Sequence, residues 1–600
     1  MKKFNLIFIA ILFSSIGLFS QGKSGKLIIL HTNDLHSNLT GFSPEIEYSP
    51  CVTGNDSTLA GFSRIAALID IEKRKNSDNL LVLDAGDFLM GTFFHIYEAD
   101  NGFQLQLMKK MGYDVVSLGN HEFDFGPATL TKIIDANRAN GEIPLLTLAN
   151  VEFNKKSEAD DSFENLYATG IVKKYQIIER NGLKIGVFGI LGDDAYKVAP
   201  NVAPLKITNR IKSAKKIVKI LEKDEQVDFI ICLSHSGVNK DKNGKWAGED
   251  VELAKKVKGI NVIISGHTHT TINDPIWIGE TAIVQAGAQG KNLGRFEINI
   301  ADGKINSAKY KLIPVNDDIS GDCNVHKEIA GQIRIVDDRL LKPMGFGYYK
   351  SLAETDYDLV CDELGDLDSS NLGPLLADAI HYYVNTESDG STDVALIAAG
   401  VIRDKFRTGI NGIQIVSDVF RVVSLGEGED GIPGYPLAKV YLTGNELKKL
   451  MELLIVAGKM KPAFYCFFSG IEVECDSNKR LFKKIQTIKI GGNAIDLSKK
   501  NETLYSLTAN SYMLEFVGEI SSMTFGLVKI KPKDQRGIEI SNNKACWIDF
   551  DLNKEGVQEG KEWMAVVKYL QNFPDTNGNN IPDFPDKYRT PILRLVDIGE

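Results

Sequence analysis

Five stretches of this sequence place Asp, Asn and His side chains immediately after a short apolar run. Leu27 to Leu30 leads into Asp34 and His36, and Leu80 to Leu83 leads into Asp87. Val115 to Leu118 leads into Asn120 and His121, Phe229 to Leu233 into His235, and Val262 to Ile264 into His267 and His269. Imidazole, carboxylate and amide donors without thiolate suit Zn, Mn or Fe and argue against a structural Cys-type zinc site. Asp34, His36, Asp87, Asn120, His235, His267 and His269 are seven potential ligands, too many for one metal that keeps an open position. Two divalent metals about 3.5–4 Å apart that share a carboxylate fit the number. Such a pair activates water for hydrolysis. Singly, each residue has a plainer reading as a turn, a cap or a hydrogen-bonded core histidine. Together they do not, since six of the nine histidines lie in these stretches, although His31 reads only as the end of its strand.

The elements that must position these groups follow from the pattern. Apolar runs of strand length alternate, from 26 to about 315, with helix-like stretches such as Ser63 to Lys75 and Ile211 to Lys223, which predicts a layered α/β domain. Side chains just beyond the carboxyl ends of neighbouring strands converge on one crevice. His121 directly follows Asn120 and is not needed for coordination, so it is placed to meet charge that develops on a reacting or leaving group. Asp124, three residues on, is placed to accept the other imidazole N–H and hold the ring protonated.

The stretches Asn33-Asp34-Leu35-His36-Ser37-Asn38, Ala85-Gly86-Asp87, Gly119-Asn120-His121-Glu122-Phe123-Asp124, Ser234-His235-Ser236-Gly237 and Ser265-Gly266-His267-Thr268-His269 resemble, in order, those of the metallophosphoesterase superfamily. Within it they are most similar to the bacterial and animal 5′-nucleotidases. The resemblance implies a four-layer first domain with two packed mixed sheets and a 5′-nucleotidase-like α/β second domain. It also implies one metal on Asp34, His36, Asp87 and His269 and another on Asp87, Asn120, His235 and His267, with Asp87 as the bridge. The His121–Asp124 pair occurs in the nucleotidases too.

With 600 residues the chain exceeds one ordinary core. The expected division is 26–315 for the catalytic domain, 316–346 for a linker with one helix from His326 to Leu341, 347–570 for a second, substrate-binding domain, and 571–600 for an Asp/Asn/Pro-rich tail. In that tail Asp575 to Asp583 sets oxygen side chains at alternate positions around Gly578, as a small calcium loop would, without the twelfth-position Glu of an EF-hand. The net charge of −10 and pI near 5.6 carry no footprint for a nucleic acid polymer. A small phosphate ester is the expected partner.

Lys2 and Lys3, the apolar run Phe4 to Phe19 and the small residues after it read as a secretory signal over 1–22, cleaved between Ser20 and Gly22. The expected product is periplasmic or secreted, with no membrane anchor. The seven cysteines leave at least one unpaired in a monomer, and Cys466 with Cys475 has the spacing of a cross-hairpin pair. In the second domain, the nucleotidase pattern of Asn-x-Gly-x-x-Arg stands here as Ala398 to Arg403, keeping the Arg. Asp368 lies near the place of a second Arg before Asn371-Leu372-Gly373, Leu425 near one expected base-stacking aromatic, and Phe516 near the other. Arg403 and Phe516 are therefore the expected substrate contacts, and Asp368 is expected to repel phosphate.

Overall fold

The structure is a computed structural model that describes residues 24–361, 366–388, 390–514, 530, 532–540 and 542–599. Residues 1–22, expected as a signal segment, and Phe516 lie outside the described residues.

In the first domain two mixed sheets stack face to face. Gly25–Thr32 pairs in parallel with Leu80–Asp84, which pairs with Val115–Ser117, while Asn292–Ala301 closes the other side antiparallel. The second sheet sets Leu183–Leu191, Phe229–His235, Val262–Ser265 and Thr281–Val284 parallel to one another, with Gln176–Arg180 and Ile276–Ile278 antiparallel at its edges. The central parallel strands are buried on both faces, and for that reason they read as unbroken apolar runs. Leu27 and Ile29 pack between the sheets against Val187, Ile231 and Ile264. Ile28 and Leu30, one residue out of phase, belong to the core under the helices Phe62–Asn76, Gln104–Met111 and Gly126–Asn140. On the far side Arg210–Lys223 and Glu249–Lys256 cover the second sheet through Ala214, Val218, Leu221 and Val251. Helix, sheet, sheet and helix make four layers.

The segment expected as a linker is built into this domain. Its helix starts at Cys323, where the Asp322 carboxylate accepts the N–H groups of Asn324 and Val325, and runs to Val336. Val325, Ile329, Ile333 and Val336, spaced by four, four and three, form its buried stripe, and the helix lies against Phe62–Asn76. A Cys51–Cys323 disulfide, with the Cα atoms 5.6 Å apart, ties its first turn down. Cys466 and Cys475 are free, which corrects the pairing expected for them. The reason is topological: Cys466–Ser469 pairs with Val394–Ala398, whereas Ile471–Cys475 pairs with Ile485–Ile490, so the two consecutive strands belong to different sheets.

The second domain is centred on a sheet ordered Leu437–Thr443, Leu504–Asn510, Val394–Ala398 and Cys466–Ser469. Helix Leu372–Glu387 covers it, and helix Glu562–Gln571 packs on that helix in turn. The end of the chain is part of this unit. Phe573, Phe584 and Tyr588 are buried, and Leu595–Asp597 adds a parallel strand beside Ile471–Cys475. Within 575–583 the oxygens are engaged locally: Asp575 accepts the N–H groups of Gly578 and Asn580, and Asn577 and Asn579 both donate to Glu354.

The two domains share one continuous apolar core. Phe93 of the first stacks on Phe420 of the second with centroids 3.9 Å apart and meets Trp563 edge-on at 5.6 Å. Beside this plug the buried Arg421 guanidinium pairs with Asp404 and Asp418 of its own domain and with Glu45 of the other. No helix among the described residues is long and apolar enough to cross a membrane.

Candidate active site

The carboxyl ends of Gly25–Thr32, Leu80–Asp84 and Val115–Ser117 in one sheet face those of Phe229–His235 and Val262–Ser265 in the other, and the five polar stretches meet there. Asp34, His36, Asp87, His267 and His269 all hold left-handed backbone, with φ of 50°, 49°, 58°, 72° and 53°. That region is sparsely populated by residues with a Cβ and is held at sites where the surroundings over-determine it. Here the N–H of Asp34 donates to Gly86 and that of His36 to Asp87, both at 2.9 Å. Close approach is equally demanding at Gly119, where a Cβ would lie 2.2 Å from Asp87 Oδ1.

Three overlapping groups of donor atoms result: Asp34 with His36 and His269; His36 with Asp87 and His121; Asp34 with Asp87 and His235. His36 Nε2 lies 2.9 Å from His269 Nε2. His235 Nε2 lies 3.0 Å from Asp87 Oδ2 and 3.2 Å from Asn120 Oδ1. Asp87 belongs to both ends of the cluster. His267 stands differently: its ring is 5.4 Å from that of His235, but its Nε2 points to Asp194 Oδ2 at 3.4 Å, so it is outside the three tight groups.

The donors fit divalent metals for a reason visible in their outer hydrogen bonds. His235 Nδ1–H donates to the Ala85 carbonyl at 2.9 Å and His36 Nδ1–H to that of Met90 at 3.1 Å. With Nδ1 so committed, both rings turn Nε2 inward: that of His36, kept neutral by burial, faces His269, and that of His235 faces the Asp87 carboxylate. Carboxylate, amide and imidazole donor atoms gathered in a buried site need a cation among them, a proton or a metal ion. The titration shifts show how the metal-free cluster holds its protons. Burial raises the Asp34 carboxyl to about 7, with the Asp87 charge adding to the rise and His235 opposing it. Burial also pulls His36 and His269 well below their ordinary value. His235 goes the other way, to about 10: burial lowers it, but the carboxylates of Asp87 and Asp34 outweigh burial.

His121 is oriented from two sides. Its backbone N–H donates to Asp87 Oδ1 at 2.9 Å, and its Nδ1–H donates to Asp124 Oδ2 at 2.6 Å. Burial would lower the imidazole, yet Asp124 and Asp87 raise it above its ordinary value.

A crevice of about 1920 Å³ opens from this cluster between the domains, lined by Asp87, Asn120, His121, Asp124, His267, His269 and, from the second domain, Arg403. The Arg403 charge is felt at His36, His121 and Asp124. Asp368 does not line the crevice; its carboxylate accepts the Tyr465 hydroxyl elsewhere on the second domain, so the expected repulsion of phosphate does not arise. Asn371 is structural, accepting the Val360 N–H and donating to the Asp358 and Tyr588 carbonyls. Leu425 does line the crevice, and near it stand Tyr435 and Tyr512, stacked at 5.4 Å with an interplanar angle of 18°. This pair carries no motif of its own, but Tyr512 lies two residues past the strand Leu504–Asn510, the same strand-end position that marks the donor residues of the cluster. Asp194 and Lys461, also at the crevice, carried no local signal.

Residues 27–271 match the calcineurin-like phosphoesterase family and residues 359–521 the 5′-nucleotidase C-terminal domain. The chain is 25% identical over 516 residues to the trifunctional nucleotide phosphoesterase protein YfkN of Bacillus subtilis, a match covering 81% of this chain and 32% of that much longer protein. It is 26% identical over 501 residues to the 5′-nucleotidase of Rattus norvegicus, covering 79% of each. In fold it is similar to a 5′-nucleotidase precursor from Thermus thermophilus, with a TM-score of 0.67 and 20% identity over 96% of this chain and all of that one. Two matches in tandem, over the stretches that fold as the catalytic and second domains, place this chain in the calcineurin-like metallophosphoesterases that carry a 5′-nucleotidase C-terminal domain, a family of phosphoric ester hydrolases.

Proposed function

We propose that the chain is an exported nucleotide phosphoesterase of the 5′-nucleotidase kind that works with two divalent metal ions. One is held by Asp34, His36, Asp87 and His269, the other by Asp87, Asn120, His235 and His267. The observation that carries the reading is the inward convergence of buried donor atoms around Asp87. When bound, a metal pair of this kind neutralises phosphate oxygens and supplies a water of lowered pKa. The chain's own residues do the rest. Protonated His121, steadied by Asp124, faces charge on the phosphoryl or leaving oxygen, and Arg403 makes a charge-assisted contact to phosphate. Export rests on the first 22 residues.

Chelation tests this directly. EDTA should abolish hydrolysis and Mn²⁺ or Zn²⁺ should restore it, whereas full activity after exhaustive chelation would rule the reading out. The pH dependence has a definite sign. In the metal-free chain His235 keeps its proton up to about 10, and a metal at Nε2 must displace it. Metal affinity therefore rises with pH and falls as the medium is acidified. Calorimetric titration in buffers of different ionisation enthalpy measures the released proton.

On substrate, Tyr435 and Tyr512 offer aromatic faces beside Leu425, while Ala398 supplies no side-chain hydrogen bond. Stacking tolerates any base because every base has a π-face. The expected result is hydrolysis of AMP, GMP and UMP with kcat/KM within about tenfold of one another, since little beyond stacking separates them. A panel adding a nucleotide sugar, a cyclic nucleotide and a sugar phosphate checks it. A preference for AMP above all the others by orders of magnitude would count against it.

A further inference from the structure

Glu122 belongs to none of the donor groups, yet its carboxylate is buried between two of the loops that carry them. Oε2 accepts the backbone N–H of Asp87 at 2.9 Å and of Gly119 at 2.6 Å, and Oε1 accepts that of Leu89 at 3.0 Å. One side chain thus joins the loop after Leu80–Asp84 to the loop after Val115–Ser117, on either side of Asp87 and immediately before Asn120. We propose that Glu122 is a positioning residue for the metal pair: it fixes Asp87 in its left-handed conformation and sets Asn120 and His121 against it. The inference rests on the two-metal reading above.

The chemistry of the partners makes the proposal specific. All three are backbone N–H groups, which donate and cannot reverse, so only a group with acceptors on both oxygens satisfies them. An amide in its place turns an NH₂ toward at least one N–H. Asp250, an equally buried carboxylate under the second sheet, provides the contrast. It accepts the hydroxyls of Ser234 and Ser265, each at 2.6 Å, and the N–H of Gly237 at 3.1 Å. Hydroxyls rotate and accept as readily as they donate. An amide at 250 is therefore satisfied by rotation of a serine, whereas an amide at 122 is not.

The test uses the full mature chain with Glu122→Gln and Asp250→Asn. Mn²⁺ affinity is measured by calorimetry, and amide hydrogen exchange at Asp87, Leu89 and Gly119 is measured in the metal-free protein. Glu122→Gln should weaken Mn²⁺ binding about 10–100-fold, the range for outer partners of metal ligands. It should also speed exchange at those three amides and lower kcat more than it raises KM. Asp250→Asn should leave Mn²⁺ affinity near that of the parent. Unchanged affinity and exchange in Glu122→Gln, or an equal loss in Asp250→Asn, would overturn the proposal. If Glu122→Gln does not fold, Glu122→Asp keeps the charge but is one methylene shorter. Parent-like Mn²⁺ affinity and exchange in that variant would also overturn it, and a partial loss of both would support it. A parent chain that takes up no Mn²⁺ would end the metal reading instead, and the exchange data would still report on Glu122.

Discussion

Replacing His121 with Ala should lower kcat by about 10²–10⁴-fold, the range for losing a positioned proton donor, while both metals stay bound. The expectation follows from how the ring is held. Asp124 takes its Nδ1–H at 2.6 Å, and Asp87 accepts its backbone N–H, which any residue at 121 also supplies. The substitution thus removes the imidazole and leaves the Asp87 contact in place. Asp124 and Asp87 raise the ring's pKa against the opposing pull of burial, so the imidazolium persists above the usual histidine range. A group raised in this way is active in its protonated form and is lost as pH climbs through its pKa. The alkaline limb of the parent's kcat profile should therefore be missing from the residual activity of His121→Ala. Elemental analysis of the purified variant checks the other half. Fewer than two metals per chain would mean that His121, which lies within reach of His36 and Asp87, is itself a ligand.

Asp87→Asn should act on the metals themselves. Asp87 is the carboxylate that joins His36 at one end of the cluster to His235 at the other, with Oδ2 3.0 Å from His235 Nε2 and Oδ1 bonded to the His121 N–H. The amide removes a charge and one acceptor from a site where both matter. Loss of a bridging ligand should cost more than the roughly 10–100-fold that outer partners of ligands cost. Both metals should weaken together, with activity falling alongside. Metal-dependent melting reports this independently of turnover, because whatever binds only the folded chain stabilises it. The parent should gain thermal stability on Zn²⁺ or Mn²⁺ addition and the variant should not. Two tightly held metals in Asp87→Asn would remove the bridge from the mechanism.

The two substitutions also separate from the Glu122 effect. His121→Ala spares the metals, Asp87→Asn removes them, and Glu122→Gln weakens them while loosening the loops they sit on. Only the last removes an acceptor of the Asp87, Leu89 and Gly119 amides and so speeds their exchange in the metal-free chain.

How far the sequence reaches differs from residue to residue. Leu27 to Leu30 is apolar without interruption because its two faces meet two different cores, and that pattern is legible from composition alone. Asp34, His36, Asp87, Asn120 and His235 converge because the strands before them are parallel neighbours or face one another across the stack, so chain order and strand ends sufficed to place them. The same reasoning put His267 in the set, but its turn toward Asp194 depends on a residue 73 positions away. The sequence by itself determined a layered α/β domain and the donor atoms at its strand ends, since both are written in runs a few residues long, whereas the two packed sheets were expected only from the family resemblance. Only the tertiary structure decided the Cys51–Cys323 pairing, the Phe93–Phe420 contact between the domains, the Asp368–Tyr465 bond that holds a carboxylate away from the crevice, and the Tyr435–Tyr512 wall. Each of these joins segments remote in sequence whose local composition is ordinary. Their meeting follows from the packing of whole domains, which no short window of residues encodes.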